Sequence, residues 1–240
     1  MNIRISLGIG VIFLFGTCNL ISQNSFEGVI EYDVKFKMLE GFEKFGVSND
    51  DFIKNLKSQG EYFSKVDYYY KGGNYAFETN LKNNIRKQIY VSKENNIYFF
   101  ENDLVIVSDA SIDLETVKGN TPKIQLLDKT ELINNIRCNV VKVVWKLGTY
   151  YYYYNSEILI VDPNLFKGHN YDQFYRFLEI SKSLPIRIVK EVNNLMVTEL
   201  TLKKFFKKKI MDNVFDIPNL QYDDDLNKYA QPHQKVFVKN

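Results

Sequence analysis

The sequence is poor in the residue types that most enzyme and metal sites use. Its 240 residues include only two histidines, His169 and His233, and two cysteines, Cys18 and Cys138. A metal site needs about three converging ligands, and His169 with the nearby Asp172 offers two. No G-x-S-x-G, H-E-x-x-H, C-x-x-C or glycine-rich phosphate loop occurs. We therefore expect no catalytic residues, no metal, no cofactor and no enzymatic activity.

Arginine is also scarce, with 5 arginines against 26 lysines. Arginine is the side chain best suited to bidentate recognition of phosphates and bases. The net charge is only +2, from 31 basic and 29 acidic residues. Neither count favours nucleic acid as a partner. The 25 asparagines and only 3 alanines are typical of an A/T-rich genome, so we interpret where such residues lie and not how many there are.

Residues 1–22 have the pattern of a secretion signal peptide. Arg4 supplies the positive charge, and the apolar core from Ile5 to Phe15 is too short for a good transmembrane span. Lipoprotein processing at Cys18 is the alternative, but Thr17 is a poor fit to the small residue expected there, which disfavours a lipid anchor. The sequence predicts export, to the periplasm or to an outer-membrane-associated or extracellular location.

A chain processed in this way keeps one cysteine, Cys138. An intramolecular disulfide is then excluded, although the compartment would permit one. Cys138 lies in a strand-like pattern without a nearby histidine or lysine pattern that would activate it. We expect it to be a buried small hydrophobic residue.

Short alternating segments make up most of the remaining chain. From Phe26 to Met38, apolar and charged residues alternate, which predicts a strand with one buried and one wet face. Gly72-Gly73 predicts a hairpin with Tyr70 opposite Tyr75 and Tyr68 opposite Phe77. Further strands are predicted at Ile85–Val91, Ile97–Phe100, Leu104–Val107, from Ile124, and in a last hairpin of Pro185–Val192 and Leu195–Phe206 around Asn193-Asn194.

The central stretch, Lys129 to Asp162, predicts three strands. A type II′ turn at Gly148-Thr149 would pair Trp145 with Tyr152. A second turn at Asn155-Ser156 would then set Tyr153 near Ile158 and Tyr151 near Ile160. The tyrosine strand would be apolar on both faces, so both faces need cover from helices, a curled sheet or a bound apolar ligand.

Two helices are predicted. Ser48 caps the first with Asp51 as its partner, and Gly60 ends it. Asn170 caps the second, whose apolar stripe makes it a lid for one face of the sheet. That stripe consists of Tyr171, Phe174, Tyr175 and Leu178.

These elements predict a mainly β (α+β) protein, a curved antiparallel sheet or half-barrel with two or three short helices packed on it. After the signal peptide we expect a single β-rich domain over residues 23–218, with Asp212 to Pro218 closing the sheet. The segment 219–240 has low hydrophobicity, which predicts a loosely structured tail.

Five short motifs follow one another along the chain. They are Phe26-Glu27-Gly28-Val29-Ile30, then Thr130, Glu131, Ile133 and Cys138, then Leu184-Pro185-Ile186, then Thr198 to Leu202, and last Phe215-Asp216-Ile217-Pro218. Their order resembles the LolA/LolB-like superfamily of outer-membrane lipoprotein carriers, in its uncharacterised secreted bacterial branch. The resemblance spans roughly Phe26 to Pro218 and implies a half-barrel closed by helices around an apolar cavity.

Two sets of residues are candidates for binding. The set predicted to line a cavity is Tyr151, Tyr153, Ile158, Ile160, Phe174 and Leu178. The set predicted to form a surface patch is Lys203, Lys204, Lys207, Lys208 and Lys209. The structural interpretation of these lysines is a charged edge strand that resists pairing, and the functional one is attraction to an anionic lipid or glycan.

The leading functional hypothesis is a secreted cell-envelope protein that shelters an apolar ligand, a lipid or lipidated chain, in a half-barrel cavity. Its expected partners are a lipid, a lipoprotein or a membrane surface. The alternative is a structural or adhesive envelope module that binds protein or glycan through tyrosine and lysine side chains. A hydrolase built from scattered carboxylates is a third hypothesis, which no motif favours.

Overall fold

The computed structural model describes residues 25–39, 46–81, 84–192 and 196–240. Its strands are β1 (Gly28–Met38), β2 (Lys65–Lys71), β3 (Asn74–Leu81), β4 (Asn84–Val91), β5 (Asn96–Glu101), β6 (Leu104–Asp109), β7 (Lys123–Ile133), β8 (Ile136–Trp145), β9 (Gly148–Tyr154), β10 (Arg187–Val192), β11 (Met196–Lys207), β12 (Leu220–Tyr222) and β13 (Gln234–Lys239). Its helices are α1 (Asn49–Ser58), α2 (Leu114–Val117), α3 (Phe174–Ser181) and α4 (Asp224–Asn227), with 3₁₀ turns at Pro163–Phe166, Tyr171–Gln173 and Asp212–Phe215. The predicted signal peptide and the Asn193-Asn194 turn lie outside the described residues.

The strands form one antiparallel sheet in the order β12-β13-β6-β5-β4-β3-β2-β1-β11-β10-β9-β8-β7. The sheet is curved but does not close on itself, so β12 and β7 are its edges. This confirms the predicted fold class, a β-rich half-barrel with a few short helices. Among the described helices, none is long and apolar enough to span a membrane.

Strand β1 lies at the centre of the sheet, between β2 and β11. Its alternate residues Ile30, Tyr32 and Val34 are at most 3% exposed, as the alternation predicts. The β2–β3 hairpin also has the predicted register, with Tyr70 paired to Tyr75. These strands therefore bring one row of apolar side chains each to the concave face.

The outer face of β1 to β6 has a second hydrophobic core. It includes Val29, Ala76 and Ile89, and it is covered by Ile210 and Phe215. Residues 212–218 were predicted to close the sheet, but Asp212–Phe215 instead forms a 3₁₀ turn over this outer face. The reason is hydrophobic burial, because this turn leaves Phe215 only 8% exposed.

The central stretch holds three strands, namely the end of β7 together with β8 and β9, but both turns predicted in it are misplaced. The turn between β8 and β9 is at Lys146-Leu147, and Gly148 pairs with Trp145 inside the ladder. Gly148 is needed there because a Cβ atom would lie 2.3 Å from the carbonyl oxygen of Glu191. The next neighbour of β9 is β10, and of the third predicted strand only Ile160 forms an isolated bridge.

The first helix is confirmed and the second begins later than predicted. The Ser48 hydroxyl accepts a hydrogen bond from the Asp51 amide at 3.1 Å and caps α1. Asn170 makes no side-chain cap, because Asp172 and Gln173 both have φ of 55° and interrupt the helix. Helix α3 therefore begins at Phe174.

The segment from residue 219 is not loose, in contrast to the prediction. Strand β13 pairs with β6, and β12 pairs with β13. The exposed edge of β6 offers unpaired backbone groups, which β13 satisfies. The ring of Phe237 also packs against the outer core, so this segment contributes to the hydrophobic interior.

We predict that Gly148→Ala destabilises the protein by about 2–3 kcal/mol, because the added Cβ would push β9 away from β10. Gly119→Ala is the control. Gly119 has φ of 76° and open space around it, so only the backbone conformation opposes a side chain, by about 1 kcal/mol. Urea unfolding of both variants measures the difference. Equal losses would contradict close packing of Gly148 against Glu191.

Candidate functional site: an aromatic cavity on the concave face

Aromatic side chains from β1, β2 and β3 line the concave face of the sheet. Alternation along each strand gives this face the rings of Tyr32, Tyr68, Tyr70, Tyr75 and Phe77. The ring centroids of Tyr68 and Phe77 are 4.9 Å apart, and those of Tyr32 and Tyr68 are 5.6 Å apart. Each such pair adds about 0.5–1.5 kcal/mol beyond the burial of area. The rings therefore form a well-packed wall.

A cavity of about 300 Å³, the concave cavity, lies between this wall and residues 163–181, which we call the lid. Ligand pockets in proteins typically have volumes of about 300–1,000 Å³, so this is a small one. The sheet lines it with Tyr32, Val66, Tyr68, Tyr70, Tyr75, Phe77, Gln88, Tyr150, Tyr152, Ile188, Lys190, Thr198 and Leu200. The other lining residues are Phe63, His169, Tyr171, Asp172, Phe174 and Pro185.

Aromatic contacts hold the lid on the sheet. Phe177 stacks on Tyr152 with ring centroids 4.6 Å apart, and Phe166 lies parallel to Tyr90 at 6.3 Å. Phe174 meets Phe166 edge to face at 5.6 Å. Phe166 and Phe177 are at most 2% exposed, so the lid belongs to the hydrophobic core and forms a fixed wall of the cavity.

The backbone of the lid is strained where it borders the cavity. Asp172 and Gln173 both have φ of 55°, which costs a residue with a side chain about 1 kcal/mol. The Tyr152 hydroxyl donates to the Asp172 carbonyl oxygen at 2.9 Å, and the Gln173 amide donates to Asp113 Oδ2 at 3.3 Å. Strained turns that are fixed in this way cluster at binding sites.

An ion pair joins this turn to the sheet. Lys190 Nζ donates to Asp172 Oδ2 at 2.6 Å and lies 4.8 Å from the centre of the Tyr150 ring. Burial acts to lower the pKa of Lys190, but the Asp172 carboxylate and the hydroxyls of Tyr150 and Tyr152 outweigh it and raise the pKa well above 10.5. Lys190 therefore stays charged, and the charge of Asp172 balances it.

His169 belongs to the lid, faces the cavity and is only 2% exposed. Gln88 donates to the Tyr75 hydroxyl at 3.1 Å, which leaves Tyr75 free to donate to His169 Nε2 at 3.0 Å. The buried Nδ1 of His169 has no hydrogen-bond partner among the described residues. Burial lowers the pKa of His169 to about 4, so the ring is neutral at pH 7.

Two further cavities adjoin the concave cavity. One, of about 400 Å³, continues along β3 to β6 and shares Phe63, Phe77 and Gln88 with it. The other, of about 160 Å³, lies between Trp145 and the segment around Asp113. Tyr171 lines all three cavities. Its ring therefore stands where the three spaces meet.

Of the residues predicted to line the cavity, only Phe174 does so. Leu178 is fully buried in the core, while Ile158 and Ile160 lie outside the strands. Tyr151 and Tyr153 point to the outer face, where Lys142 lies over the first ring and Arg187 over the second.

The cavity is instead lined by Tyr150 and Tyr152, two of the three tyrosines on the face of Trp145. The ring of Tyr150 does contact Trp145, with centroids 4.3 Å apart, so the two side chains share a face as predicted. Alternation sorts side chains onto two faces, but the curvature of the whole sheet decides which face is concave.

The five lysines do not form a uniformly free patch. Lys203 and Lys204 pair with Asp33 and Glu31 of β1 at 3.5 Å and 3.0 Å, while residues 207–209 are exposed. Strand β11 pairs with β1 up to Lys207 but with β10 only up to Thr201. One side of its lysine-rich half is therefore a free edge, and the rest of β11 is not an edge strand. Both interpretations of residues 207–209 stay predictions.

Sequence reasoning missed the Lys190–Asp172 pair. One observation points to it, because Lys190 shares a face with Ile188 in a strand that the sequence already predicts. A charged residue on the core face of a predicted strand needs a partner. Asp172 is not identifiable in this way, since its position depends on the strained turn.

The described residues offer no reactive or metal-binding cluster. Within the ranges given above, no group of three or more His, Cys, Asp or Glu side chains converges on a point that could hold a metal ion. Cys138 is fully buried, and burial raises the pKa of its thiol to about 11. The thiol therefore stays protonated at neutral pH.

Fold and cavity together define an open, curved antiparallel half-barrel with a short lid over its concave face. No known protein family matches the sequence, and no curated protein does. PNGF-II, solved in the C2 and P21 space groups, is similar in structure with TM-scores of 0.41 and 0.40 and 11% identity. The likeness covers 80% and 79% of this chain, which spans about 30% of the length of PNGF-II.

A LolA superfamily protein from Nitrosomonas europaea is also similar in structure. It is 11% identical, with a TM-score of 0.36, and the likeness covers 82% of this chain and 93% of that protein.

We predict that Lys190→Met destabilises the protein by about 1–3 kcal/mol, because it leaves Asp172 without its partner. Adding Asp172→Asn should restore part of this loss, so the double variant loses less than the sum of the single ones. The Lys228–Asp225 pair, with side chains 66% and 87% exposed, is the control and should contribute less than about 0.5 kcal/mol. Urea unfolding measures all variants. Additive losses at Lys190 and Asp172 would contradict a coupled pair.

We predict that His169 makes the fold less stable in acid. Its pKa is lowered from 6.5 in the unfolded chain to about 4 in the folded one, so protonation favours unfolding. The loss of stability caused by His169 is absent above pH 6.5, grows as the pH falls and reaches about 3 kcal/mol near pH 4. Unfolding of wild type and His169→Phe across this range measures it, with His233→Phe as a control. Parallel curves for wild type and His169→Phe would exclude this role.

Proposed function

We propose that this chain is an exported, non-enzymatic cell-envelope protein that binds a small apolar ligand, a lipid or the acyl chain of a lipidated protein, in the concave cavity. The observation that carries the proposal is the cavity of about 300 Å³, which is lined chiefly by aromatic and aliphatic side chains. The charged and apolar pattern of residues 1–22 supports export.

The lining supports an apolar ligand on energetic grounds. Moving one methylene group from water to an apolar surface contributes about 0.8 kcal/mol. A chain of about eight methylenes would gain roughly 6 kcal/mol, which is enough for weak to moderate affinity before the costs of association. The small volume favours one acyl chain over a lipid with several.

The rigidity of the cavity also supports binding. The lid is fixed by stacked rings, with Phe177 on Tyr152 and Phe166 on Tyr90. A preformed site avoids much of the entropy cost of ordering side chains around a ligand.

The polar groups at the cavity support a role without catalysis. A general base needs a pKa near the working pH and a free position beside the substrate. His169 is neutral, but its Nε2 contacts the Tyr75 hydroxyl. Lys190 stays protonated and is paired with Asp172. Neither group is placed to take a proton from a bound molecule.

We predict that Thr198→Trp, which fills the concave cavity, abolishes ligand binding. Thr198 lines the cavity, and an indole ring there would occupy much of its volume. Lys35→Trp is the matched control, because Lys35 is exposed on the outer face of the neighbouring strand. Native mass spectra of residues 23–240, purified from an envelope fraction, should show a dissociable lipid mass for wild type and Lys35→Trp only. A bare mass for all three proteins, or a retained lipid in Thr198→Trp, would refute the proposal.

A further inference from the structure

Two tyrosines in the wall of the concave cavity have hydroxyl groups without a partner. Among the described residues, no hydrogen bond reaches the hydroxyl of Tyr68 or Tyr70, although both line the cavity. Tyr70 is only 4% exposed. By contrast, Tyr32, Tyr75 and Tyr152 each hydrogen-bond a carbonyl oxygen or a side chain.

Neither hydroxyl is among the buried polar atoms that lack a partner, so both oxygens reach the open space of the cavity. A ligand that fills this space displaces the water that such hydroxyls would bond, so it has to offer them a replacement acceptor. Tyr68 and Tyr70 lie two residues apart on the same face of β2, with ring centroids 6.0 Å apart and planes inclined by only 14°. Both side chains therefore belong to the same wall of the cavity.

Both hydroxyls keep their protons at neutral pH. Burial raises the pKa of Tyr68 to about 12 and raises that of Tyr70 well above its ordinary value. The two groups therefore act as hydrogen-bond donors, and a complementary ligand presents an acceptor.

The charge balance of the cavity tells what kind of acceptor fits. The charged side chains in its lining are Lys190 and Asp172, which neutralise each other at 2.6 Å. His169 adds no charge at neutral pH. A carboxylate would meet the Asp172 carboxylate without an unpaired cation to offset it, whereas a neutral carbonyl oxygen has no such penalty.

We propose that the hydroxyls of Tyr68 and Tyr70 hydrogen-bond a neutral carbonyl oxygen of the bound molecule, so that the cavity selects an uncharged acyl ester over a free fatty acid. This inference rests on the proposed function and narrows its ligand class.

The test compares three probes with the same chain length: methyl dodecanoate, dodecanoate and dodecane. The affinity of each is measured by its displacement of a fluorescent apolar reporter, N-phenyl-1-naphthylamine. The proteins compared are wild type, Tyr68→Phe, Tyr70→Phe and Tyr69→Phe. Phenylalanine keeps the ring and removes only the hydroxyl. Tyr69→Phe is the matched control, because Tyr69 lies between the other two but packs against the outer core.

We expect Tyr68→Phe and Tyr70→Phe each to lower the affinity for methyl dodecanoate about three- to tenfold, as for the loss of one neutral hydrogen bond. Neither variant should change the affinity for dodecane. Tyr69→Phe should change neither. Wild-type affinity for the ester in both cavity variants would overturn this inference but not the cavity function. Tighter binding of dodecanoate than of the ester to wild type would also overturn it. Failure of all three probes to bind wild type would refute the proposed function itself.

Discussion

Burying the tyrosine rings of Tyr32, Tyr75 and Tyr152 with a partner for each hydroxyl group is the constraint on which the concave side of this protein depends. The partners come from distant parts of the chain. The Tyr32 hydroxyl on β1 donates to the Pro185 carbonyl oxygen at 2.6 Å, and Tyr152 on β9 donates to the carbonyl oxygen of Asp172. Each bond satisfies a buried polar group and also fixes the position of a segment outside the sheet. The hydrogen bond from Tyr152 positions the lid together with the lid's aromatic contacts.

Asp172 connects the backbone strain of the lid to the electrostatics of the cavity. Its carbonyl oxygen accepts from Tyr152 and its carboxylate pairs with Lys190, and it makes both contacts from the left-handed conformation that interrupts the predicted helix. The cost of that conformation is met by interactions on either side of it. The result is a polar pair of zero net charge in the lining of the cavity.

Local patterns predict much of the fold and less of the site. Alternation and the turn at Gly72-Gly73 are enough for β1 and the β2–β3 hairpin, because both depend on neighbours in sequence. The central stretch is different, since two turns satisfy the same alternation and only the approach of Glu191 to Gly148 decides between them. The concave face is a property of the whole sheet, so sequence reasoning selects Tyr151 where the structure uses Tyr150. The pairing of β13 with β6 is equally non-local, so the alternation of residues along the chain does not predict it.

The central position of β1 has a consequence for how this chain reaches its native state. Its two neighbours are β2, which follows closely in sequence, and β11, which comes near the end of the chain. One edge of β1 therefore stays open until most of the polypeptide is available, and contacts between such distant segments slow folding. An unpaired apolar edge of this kind is a site of aggregation in the meantime. The chain should thus depend on holdase chaperones for longer than a β-rich protein built only from successive hairpins.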